Sequence, residues 1–373
     1  MEANNIRVAQ IIGYVGEGGV ESMIMHFFEH IDRNKIQFVF FVENTSKLID
    51  KEKIERMGGK IVLIPSIKQI ILNEKNFVNI LKKEKCDIAH AHKSTLNYFY
   101  LKCVKKAGIK IRISHAHSIT SNKEYIRNFA KKILKLFAKK YATDYFACCE
   151  KAGRWMFGNR TFDKGLVKII NNAVDIYKFS FSNSIREKIR LELNLGDSFV
   201  IGHIGRFNKQ KNHEFLIDIF YNIQLKKNNA KLFLIGNGPL KQSVIDKIKY
   251  LQIDDKVIIK ESCVNPEVYY NIMDCFILPS LYEGLPVVGI EAQVNGVNCF
   301  FSNTITNEIV LNENSYLLKL NKSPSEWASF ILDKSNINID RINCFKKFIY
   351  SKYDIEKETL NLYNNYQAMI NSI

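Results

Sequence analysis

The feature that most restricts the fold of this chain is a regular alternation of short apolar segments with segments of helical length. The apolar segments have the length and composition of strands buried in a parallel sheet. They predict a first series of strands at Ile6–Tyr14, Gln37–Val42, Lys60–Ile64, Ile88–Ala91, Ile111–His115 and Tyr145–Cys148. They predict a second series at Val167–Ile170, Phe199–Ile204, Lys231–Ile235, Val257–Ile259, Cys275–Pro279 and Val297–Phe301.

Between these strands, helices are predicted at Gly19–Ile31, Phe77–Lys85, Lys123–Lys140, His213–Lys226, Lys241–Leu251 and Pro266–Met273. Strands that alternate with crossover helices indicate an α/β fold with two Rossmann-like, doubly wound parallel sheets. We expect domains at residues 1–176 and 177–354, with a terminal helix at about 355–373 packing on the first domain. Ligands bind beyond the carboxyl ends of parallel strands, so the active site is expected in a cleft between the two domains.

Composition narrows the class of protein. Of the 373 residues, 46% are apolar and 25% are charged, as in a globular protein with a large core. No apolar run reaches the roughly 18 residues of a membrane-spanning helix, and the first residues do not resemble a secretory signal. The eight cysteines form no CxxC pair, which favours reduced thiols in a cytoplasmic protein.

The positive charge is concentrated in one half of the chain. Residues 1–178 contain 32 Lys and Arg against 17 Asp and Glu, whereas residues 179–373 contain 22 against 21. Such a half favours an anionic partner: nucleic acid, a membrane surface or a phosphorylated substrate. No sequence pattern of a nucleic-acid-binding module is present, so nucleic acid is not expected.

The segment 123–141 carries much of this charge. It combines an apolar stripe at helical spacing with six cations and no acid between Arg127 and Lys140, namely Arg127, Lys131, Lys132, Lys135, Lys139 and Lys140. An ordinary amphipathic helix packed on the sheet explains the stripe. The cations predict in addition a peripheral contact with an anionic membrane surface.

Two pairs of histidines follow strands, His90/His92 and His115/His117. Residues i and i+2 of a strand face the same way, so each pair could chelate a metal. No cysteine or carboxylate cluster lies nearby in sequence to complete such a site. A polar role for one histidine at the active site, with the others buried and hydrogen-bonded, is the preferred interpretation, and no metal site is predicted.

Glycine-rich and basic loops follow several predicted strands. The first strand leads into Gly16-Glu17-Gly18-Gly19, which is neither a GxGxxG nor a Walker A loop. A second loop contains Gly205, Arg206 and Lys211 before a helix, and a third is Gly236-Asn237-Gly238-Pro239. Two cations near a helix N-terminus are suited to a diphosphate.

The most specific stretch runs from Pro279 to Ala292. Glu283 and Glu291 flank a Gly284-Leu285-Pro286 turn and the helix after it. A turn of this kind exposes backbone N–H groups to phosphate, and a carboxylate within the helix can accept hydrogen bonds from ribose hydroxyls.

Together these motifs resemble the GT-B glycosyltransferases of glycosyltransferase family 4, over essentially the whole chain. The matching residues are Gly18-Gly19-Val20-Glu21, Gly205-Arg206 with Lys211-Asn212-His213, Gly236-Asn237-Gly238-Pro239-Leu240, and the carboxylate pair Glu283/Glu291. The segment after Leu285 is similar to that of bacterial exopolysaccharide and capsule enzymes.

The resemblance implies a role for each matching position. Arg206 and Lys211 would bind the diphosphate of a nucleotide sugar, Glu291 its ribose, and Glu283 the donor sugar. The backbone amides of Gly19, Gly284, Leu285 and Pro286 would contact phosphate or sugar. Gly18, Gly205 and Gly236 would shape the loops that bind the donor. His117 matches the active-site histidine of the family best, although His115 is also close to that position.

The resemblance also implies the reaction. The family transfers a hexosyl unit with retention of anomeric configuration and without a metal or cofactor, which agrees with the absence of an Asp-x-Asp motif here. The expected donor is a UDP-sugar and the expected acceptor a lipid-linked or other saccharide at the inner face of the cell membrane. A UDP-sugar 2-epimerase-like GT-B enzyme and a non-catalytic basic binding protein are the alternatives.

Overall fold

The computed structural model describes residues 5–13, 19–44, 46, 51–117, 134–261, 265–336 and 339–372. The chain divides into two compact units, one formed by residues 1–172 together with 355–373 and the other by residues 173–354. The sequence-based division falls after residue 176, four residues further along the chain. Within the described ranges, no helix has the length and hydropathy needed to cross a membrane.

The first unit is built on a seven-stranded parallel sheet with the strand order β3-β2-β1-β4-β5-β6-β7. Its central strands are buried on both faces, which explains why they read as continuous apolar segments in the sequence. The strands are β1 (Ile6–Gly13), β2 (Ile36–Glu43), β3 (Lys60–Ile64), β4 (Ile88–Ala91), β5 (Ile111–Ala116), β6 (Asp144–Ala147) and β7 (Val167–Ile169).

Helices cover this sheet and include one from the far end of the chain. They are α1 (Gly19–His30), α2 (Lys51–Arg56), α3 (Ile67–Leu72), α4 (Lys75–Glu84), α5 (Asn97–Ala107), α6 (Glu150–Phe157), α7 (Asn159–Asp163) and the terminal helix α15 (Ile355–Asn371). Helix α15 packs against α1 and buries Leu362, Tyr366 and Met369. The terminal helix therefore places side chains of residues 355–371 in the core of the first unit.

The second unit is built on a six-stranded parallel sheet with the order β10-β9-β8-β11-β12-β13. Its strands are β8 (Phe199–Ile204), β9 (Ala230–Ile235), β10 (Val257–Lys260), β11 (Cys275–Leu278), β12 (Asn298–Ser302) and β13 (Ser315–Leu318). Its helices are α8 (Asn183–Glu192), α9 (His213–Lys226), α10 (Lys241–Tyr250), α11 (Glu267–Tyr270), α12 (Val287–Val294), α13 (Pro324–Ser335) and α14 (Arg341–Cys344).

The α/β fold with two doubly wound parallel sheets is confirmed, and each of the twelve predicted strands is present. One grouping was wrong: the strand at Val167 pairs with β6 in the first sheet and does not begin the second series. Strand β13 was missed because it has only four residues, follows an asparagine-rich stretch and lies at the edge of its sheet. The predicted helix at Lys123–Lys140 falls largely on residues 118–133, which are outside the described residues.

In each sheet the strand order changes direction once: successive strands are first added on one side of the first strand and then on its other side. The reversal lies between β1 and β4 in the first unit and between β8 and β11 in the second. Loops that leave neighbouring strands diverge at such a point, and this is where open α/β sheets bind their ligands. The candidate residues that follow β4, β8 and β11 are therefore placed at the positions expected of ligand-binding groups.

Candidate functional site

In the second unit, the loop after β8 brings Lys211 to Glu283. Lys211 ends a short 3₁₀ turn, Lys209–Lys211, which starts where the Asn208 side chain accepts a hydrogen bond from the Lys211 backbone N–H. The Lys211 Nζ lies 2.7 Å from the Glu283 Oε1, and both side chains are largely buried. Arg206, in contrast, is exposed at the start of the same loop. Lys211 is therefore held in place by Glu283, while the exposed Arg206 side chain is accessible to an anion.

The Glu283 carboxylate is fixed by two further side chains. The Ser280 hydroxyl donates to Oε1 at 3.1 Å, and the Gln210 amide donates to Oε2 at 3.0 Å. The Gln210 side-chain amide also donates to the Tyr282 backbone carbonyl, and the Gln210 backbone carbonyl accepts from the Leu281 backbone N–H. The loops after β8 and β11 are thus joined, and Glu283 has a defined orientation before any ligand binds.

The Gly236-Asn237-Gly238 loop packs directly on the Gly205 loop. The Asn237 carbonyl accepts from the Phe207 backbone N–H at 2.9 Å. A Cβ on Gly236 would lie 2.2 Å from the Gly205 carbonyl oxygen, and one on Gly238 2.4 Å from that of Phe207. Both glycines also have positive φ, so no other residue fits at either position without displacing the neighbouring loop.

Glu291 lies in α12 and is buried. The Tyr270 hydroxyl donates to its Oε2 at 2.6 Å. Burial raises the pKa of Glu291 to about 7, although the hydrogen bond from Tyr270 opposes the shift. The carboxylate therefore changes its protonation state near neutral pH.

This titration predicts pH-dependent binding of a nucleoside diphosphate. In the ribose-binding role that the motif resemblance implies for Glu291, the ionised carboxylate is the better acceptor for the hydroxyls, so affinity should rise as the pH increases through about 7. Between pH 6 and pH 8 the increase should be up to about tenfold. Calorimetry with UDP measures it.

Two variants test the origin of that pH dependence. In Glu291→Gln the part of the pH dependence due to the carboxylate should disappear, leaving only the titration of the diphosphate itself. In Tyr270→Phe the rise should move to higher pH, because the hydrogen bond that lowers the pKa of Glu291 is lost. An unchanged profile in Glu291→Gln would show that another group titrates.

The turn before α12 requires one correction. Pro286 has no N–H, so its amide cannot contact phosphate; in the turn only Gly284 and Leu285 carry N–H groups. The turn is buried, and Pro286 directly precedes the first residue of α12. In the first unit, Gly19 is exposed at the start of α1, while Gly18 lies outside the described residues.

The first unit brings the two histidine pairs together at the carboxyl ends of β4 and β5. In the parallel register of these strands Ile113 is the partner of His90, and the side chains bring the ring of His90 beside that of His115 and the ring of His92 beside that of His117. The rings are stacked, and two hydrogen bonds of 2.9 Å join His90 Nε2 to His115 Nδ1 and His92 Nδ1 to His117 Nε2. His115 is completely buried, whereas His117 is partly exposed. Of the two candidates for an active-site histidine, His117 is the accessible one.

Three of these histidines, His90, His92 and His115, have nitrogen atoms within 4.8 Å of one another, close enough for a metal site to be considered. However, the 2.9 Å separation of His90 Nε2 and His115 Nδ1 is that of a hydrogen bond. Two nitrogen ligands at about 2.0–2.1 Å from a tetrahedral zinc ion would lie about 3.3 Å apart. The observed geometry fits imidazoles that bind each other better than imidazoles arranged around a metal.

Residues 134–141 are the described part of the basic segment 123–141, and some of their side chains contact other residues of the first unit. Lys139 donates to Thr161 Oγ1 at 2.9 Å, and Lys135 lies over the ring of Trp155. Leu136 is 79% exposed. Lys140 lies over the rings of Phe137 and Tyr141. The remaining predicted membrane-facing cations, Arg127, Lys131 and Lys132, are outside the described residues.

Sequence reasoning missed the residues that hold the functional side chains. These are Gln210 and Ser280 beside Glu283, Tyr270 beside Glu291, and Gln10 and Tyr366 beside the histidines. Ser280, three residues before Glu283, and Gln210, directly before Lys211, lay within stretches that the motif analysis had singled out, but neither was given a role. The other contacts join distant segments and leave no local signal.

Comparison with protein families gives two matches that follow one another along the chain. Residues 17–178 match the family described as Glycosyltransferase Family 4. Residues 185–334 match the family described as Glycosyl transferases group 1. Together the two matches include every candidate site residue named above in both units except Gln10 and Tyr366.

Three curated relatives match nearly the whole chain. EpsF of Bacillus subtilis (strain 168) is 26% identical over 375 residues, covering 98% of each chain. The Escherichia coli UDP-Gal:alpha-D-GlcNAc-diphosphoundecaprenol alpha-1,3-galactosyltransferase is 27% identical, covering 94% of each. The capsular polysaccharide biosynthesis glycosyltransferase CapH of Staphylococcus aureus is 28% identical, covering 91% of this chain and 95% of CapH.

Among solved structures, that of Anabaena HepE in complex with UDP-glucose has the same fold. The TM-score is 0.80 at 16% sequence identity, covering 98% of this chain and 100% of HepE. At this identity the likeness concerns the fold alone.

Proposed function

Because this chain is a glycosyltransferase of family 4 with the GT-B fold, acting in polysaccharide biosynthesis, we propose that it transfers a hexosyl unit from a UDP-sugar to a lipid-linked saccharide. The observation that carries the proposal is the arrangement in the second unit, where Lys211 is paired with Glu283 and exposed Arg206 lies in the same loop as Lys211, at the reversal point of the sheet. The family and the polysaccharide context come from the relatives described above.

The nature of the donor is supported by residue chemistry. A diphosphate needs cations and N–H donors, which Arg206, Lys211 and the Gly284–Leu285 turn provide. A ribose needs an acceptor for its hydroxyls, which Glu291 provides once it is ionised. HepE was crystallised with UDP-glucose, and the E. coli relative is named for UDP-Gal, which favours uracil as the base.

The nature of the acceptor is supported by the relatives. The name of the E. coli relative specifies a diphosphoundecaprenol-linked sugar, and CapH is named for capsular polysaccharide biosynthesis. We propose the same class of acceptor here, a sugar linked through diphosphate to a lipid at the cytoplasmic face of the membrane.

The departure of UDP is proposed to depend on the protein's own cations. In the transition state negative charge develops on the β-phosphate, and Arg206 and Lys211 would stabilise it through charge-assisted hydrogen bonds. Transfer with retention of configuration and without a metal ion is part of the proposal.

The test is the release of free UDP from a panel of UDP-sugars, with and without a diphosphoundecaprenol-linked sugar. Acceptor-dependent release is expected, and NMR of the product should show the anomeric configuration of the donor. Activity should be unchanged in EDTA. Loss of activity in EDTA that Mn²⁺ or Mg²⁺ restores would contradict metal independence, and epimerisation of the sugar without transfer would favour the 2-epimerase alternative.

The charge of the first half of the chain leads to a further part of the proposal, peripheral binding to an anionic membrane surface. Each Lys or Arg near such a surface contributes about 1 kcal/mol, so the six cations from Arg127 to Lys140 are sufficient for reversible binding. The exposed Leu136 lies among these cations and adds apolar area.

Liposome flotation tests the membrane contact. We expect binding to vesicles that contain anionic lipid at low salt, little binding to neutral vesicles, and loss of binding as salt increases. Substitution of Lys131, Lys132, Lys135 and Lys139 by Gln should abolish binding and leave UDP affinity unchanged. Equal flotation with anionic and neutral lipid would show that the basic segment is only a solvated face.

A further inference from the structure

One residue, Gln10, sets which atoms donate and which accept in the hydrogen bonds of the four histidines His90, His92, His115 and His117. Gln10, in β1, has an amide oxygen that can only accept and an amide nitrogen that can only donate. The oxygen lies 2.8 Å from His92 Nε2, and in this orientation of the Gln10 amide His92 carries its proton on Nε2. The nitrogen lies 3.3 Å from the Tyr366 hydroxyl oxygen, which therefore accepts.

From Gln10 the direction passes along one branch to His117. With its proton on Nε2, His92 has a lone pair on Nδ1 and must accept there. The partner at 2.9 Å is His117 Nε2, so His117 also carries its proton on Nε2. Its Nδ1 is then a hydrogen-bond acceptor, and among the described residues no partner occupies it.

The second branch has the same direction. The Tyr366 hydroxyl donates to His90 Nδ1 at 2.7 Å, so the proton of His90 is on Nε2, which donates to His115 Nδ1 at 2.9 Å. His115 then also has its proton on Nε2, and this atom is buried without a described partner. All four imidazoles are thus assigned the same tautomer.

The four rings are also neutral. Burial lowers the pKa of His90, His92 and His115 well below the usual value of histidine, and that of His117 to about 3. Nearby positive charge acts in the same direction, since Lys93 lowers the pKa of His117 further. No described carboxylate is hydrogen-bonded to these four imidazoles to stabilise a charged ring.

We propose that Gln10 is a positioning residue of the transferase, which acts through His92 to hold His117 in the Nε2–H tautomer, so that His117 Nδ1 accepts a hydrogen bond from a hydroxyl group of the bound sugar. This inference rests on the proposed function in one respect, the place of His117 in the active site. The tautomer fixes the direction of this hydrogen bond, because the other tautomer would present an N–H donor at Nδ1, from which the hydroxyl would have to accept.

The tautomers can be observed directly in the full-length protein. With ¹⁵N-labelled histidine, the eight histidines give a spectrum in which the tautomer of each ring is read from its two nitrogen shifts. His92 and His117 are assigned from His92→Asn and His117→Asn spectra. At pH 7 both should be neutral with the proton on Nε2. A proton on Nδ1, or a charged ring, at either residue would overturn the proposal.

The variant Gln10→Met replaces the amide by an apolar side chain of similar length. Without the acceptor for His92 Nε2–H, the Nδ1–H tautomer should appear at His92 and His117 together. The kcat for transfer should fall about threefold to tenfold, the loss of one hydrogen bond, and the KM for the donor should change little. An unchanged spectrum would overturn the proposal, and a changed spectrum with unchanged kcat would overturn the positioning role.

Two further variants control for structural damage. Tyr100→Phe removes a buried hydroxyl of the same unit that donates to Glu43 Oε1 at 3.0 Å and touches no histidine, so spectrum and kcat should stay as in wild type. Tyr366→Phe should change the tautomers of His90 and His115 only. Failure of the proposed function is seen separately, as wild-type protein that releases no UDP from any donor.

Discussion

Arg206→Ala and Lys211→Ala are each expected to lower turnover at least about a hundredfold. The proposed role of both cations is to stabilise negative charge on the departing UDP, and removal of one such donor costs about 2.7–4 kcal/mol in the transition state. The measurement is the single-turnover rate of UDP release at saturating donor. Thermal unfolding of both variants shows whether the fold is kept.

The same loop offers a matched control. Lys209 lies two residues before Lys211, is exposed, and makes no hydrogen bond or ion pair with a described residue. Lys209→Ala should keep turnover within about twofold, since it removes the same charge from the loop without touching the pair. If the rate of UDP release in both Arg206→Ala and Lys211→Ala equals that in Lys209→Ala, neither cation takes part in the reaction.

The two glutamates are expected to separate binding from chemistry. Glu291→Ala should weaken UDP binding about tenfold to a hundredfold, because it removes a charged acceptor of the ribose hydroxyls, which contact it before and after transfer. Glu283→Ala should mainly lower kcat, because its partner is the sugar that is transferred. UDP affinity should be kept or increased in Glu283→Ala, since Lys211 loses the carboxylate that competes for it.

Calorimetry with free UDP and steady-state kinetics together test this separation. Glu214→Ala, which removes an exposed carboxylate from the first turn of α9, is the control and should alter neither quantity. Loss of UDP affinity in Glu283→Ala together with unchanged affinity in Glu291→Ala would reverse the two assignments.

Much of the donor site could be read from the sequence because its parts are local. A strand, a loop with Gly205 and Arg206, and a helix follow one another directly, and so do Glu283, the turn and Glu291. The apolar length of the strand and the periodicity of the helix fix where the loop falls, so its polar residues are placed at the end of the sheet.

The supporting contacts could not be read in this way. Lys211 and Glu283 are 72 residues apart, and Tyr270 and Glu291 are 21 apart, across a strand and a turn. Their meeting depends on the order of strands in the sheet and on the packing of α11 against α12, and neither is encoded by periodicity.

Local sequence signals are enough to predict the two parallel sheets and the loops that carry the polar residues, because strand length, helix periodicity and turn residues act over a few neighbouring positions. Which of those residues meet depends on how the whole chain folds. His90 and His115 are 25 residues apart and His90 and Tyr366 are 276 apart, and they come together through strand register and the docking of the terminal helix. The hydrogen bonds of His90, His92, His115 and His117, on which the proposed tautomers rest, and the burial that raises the pKa of Glu291 depend on these distant contacts and appear only when the chain is folded.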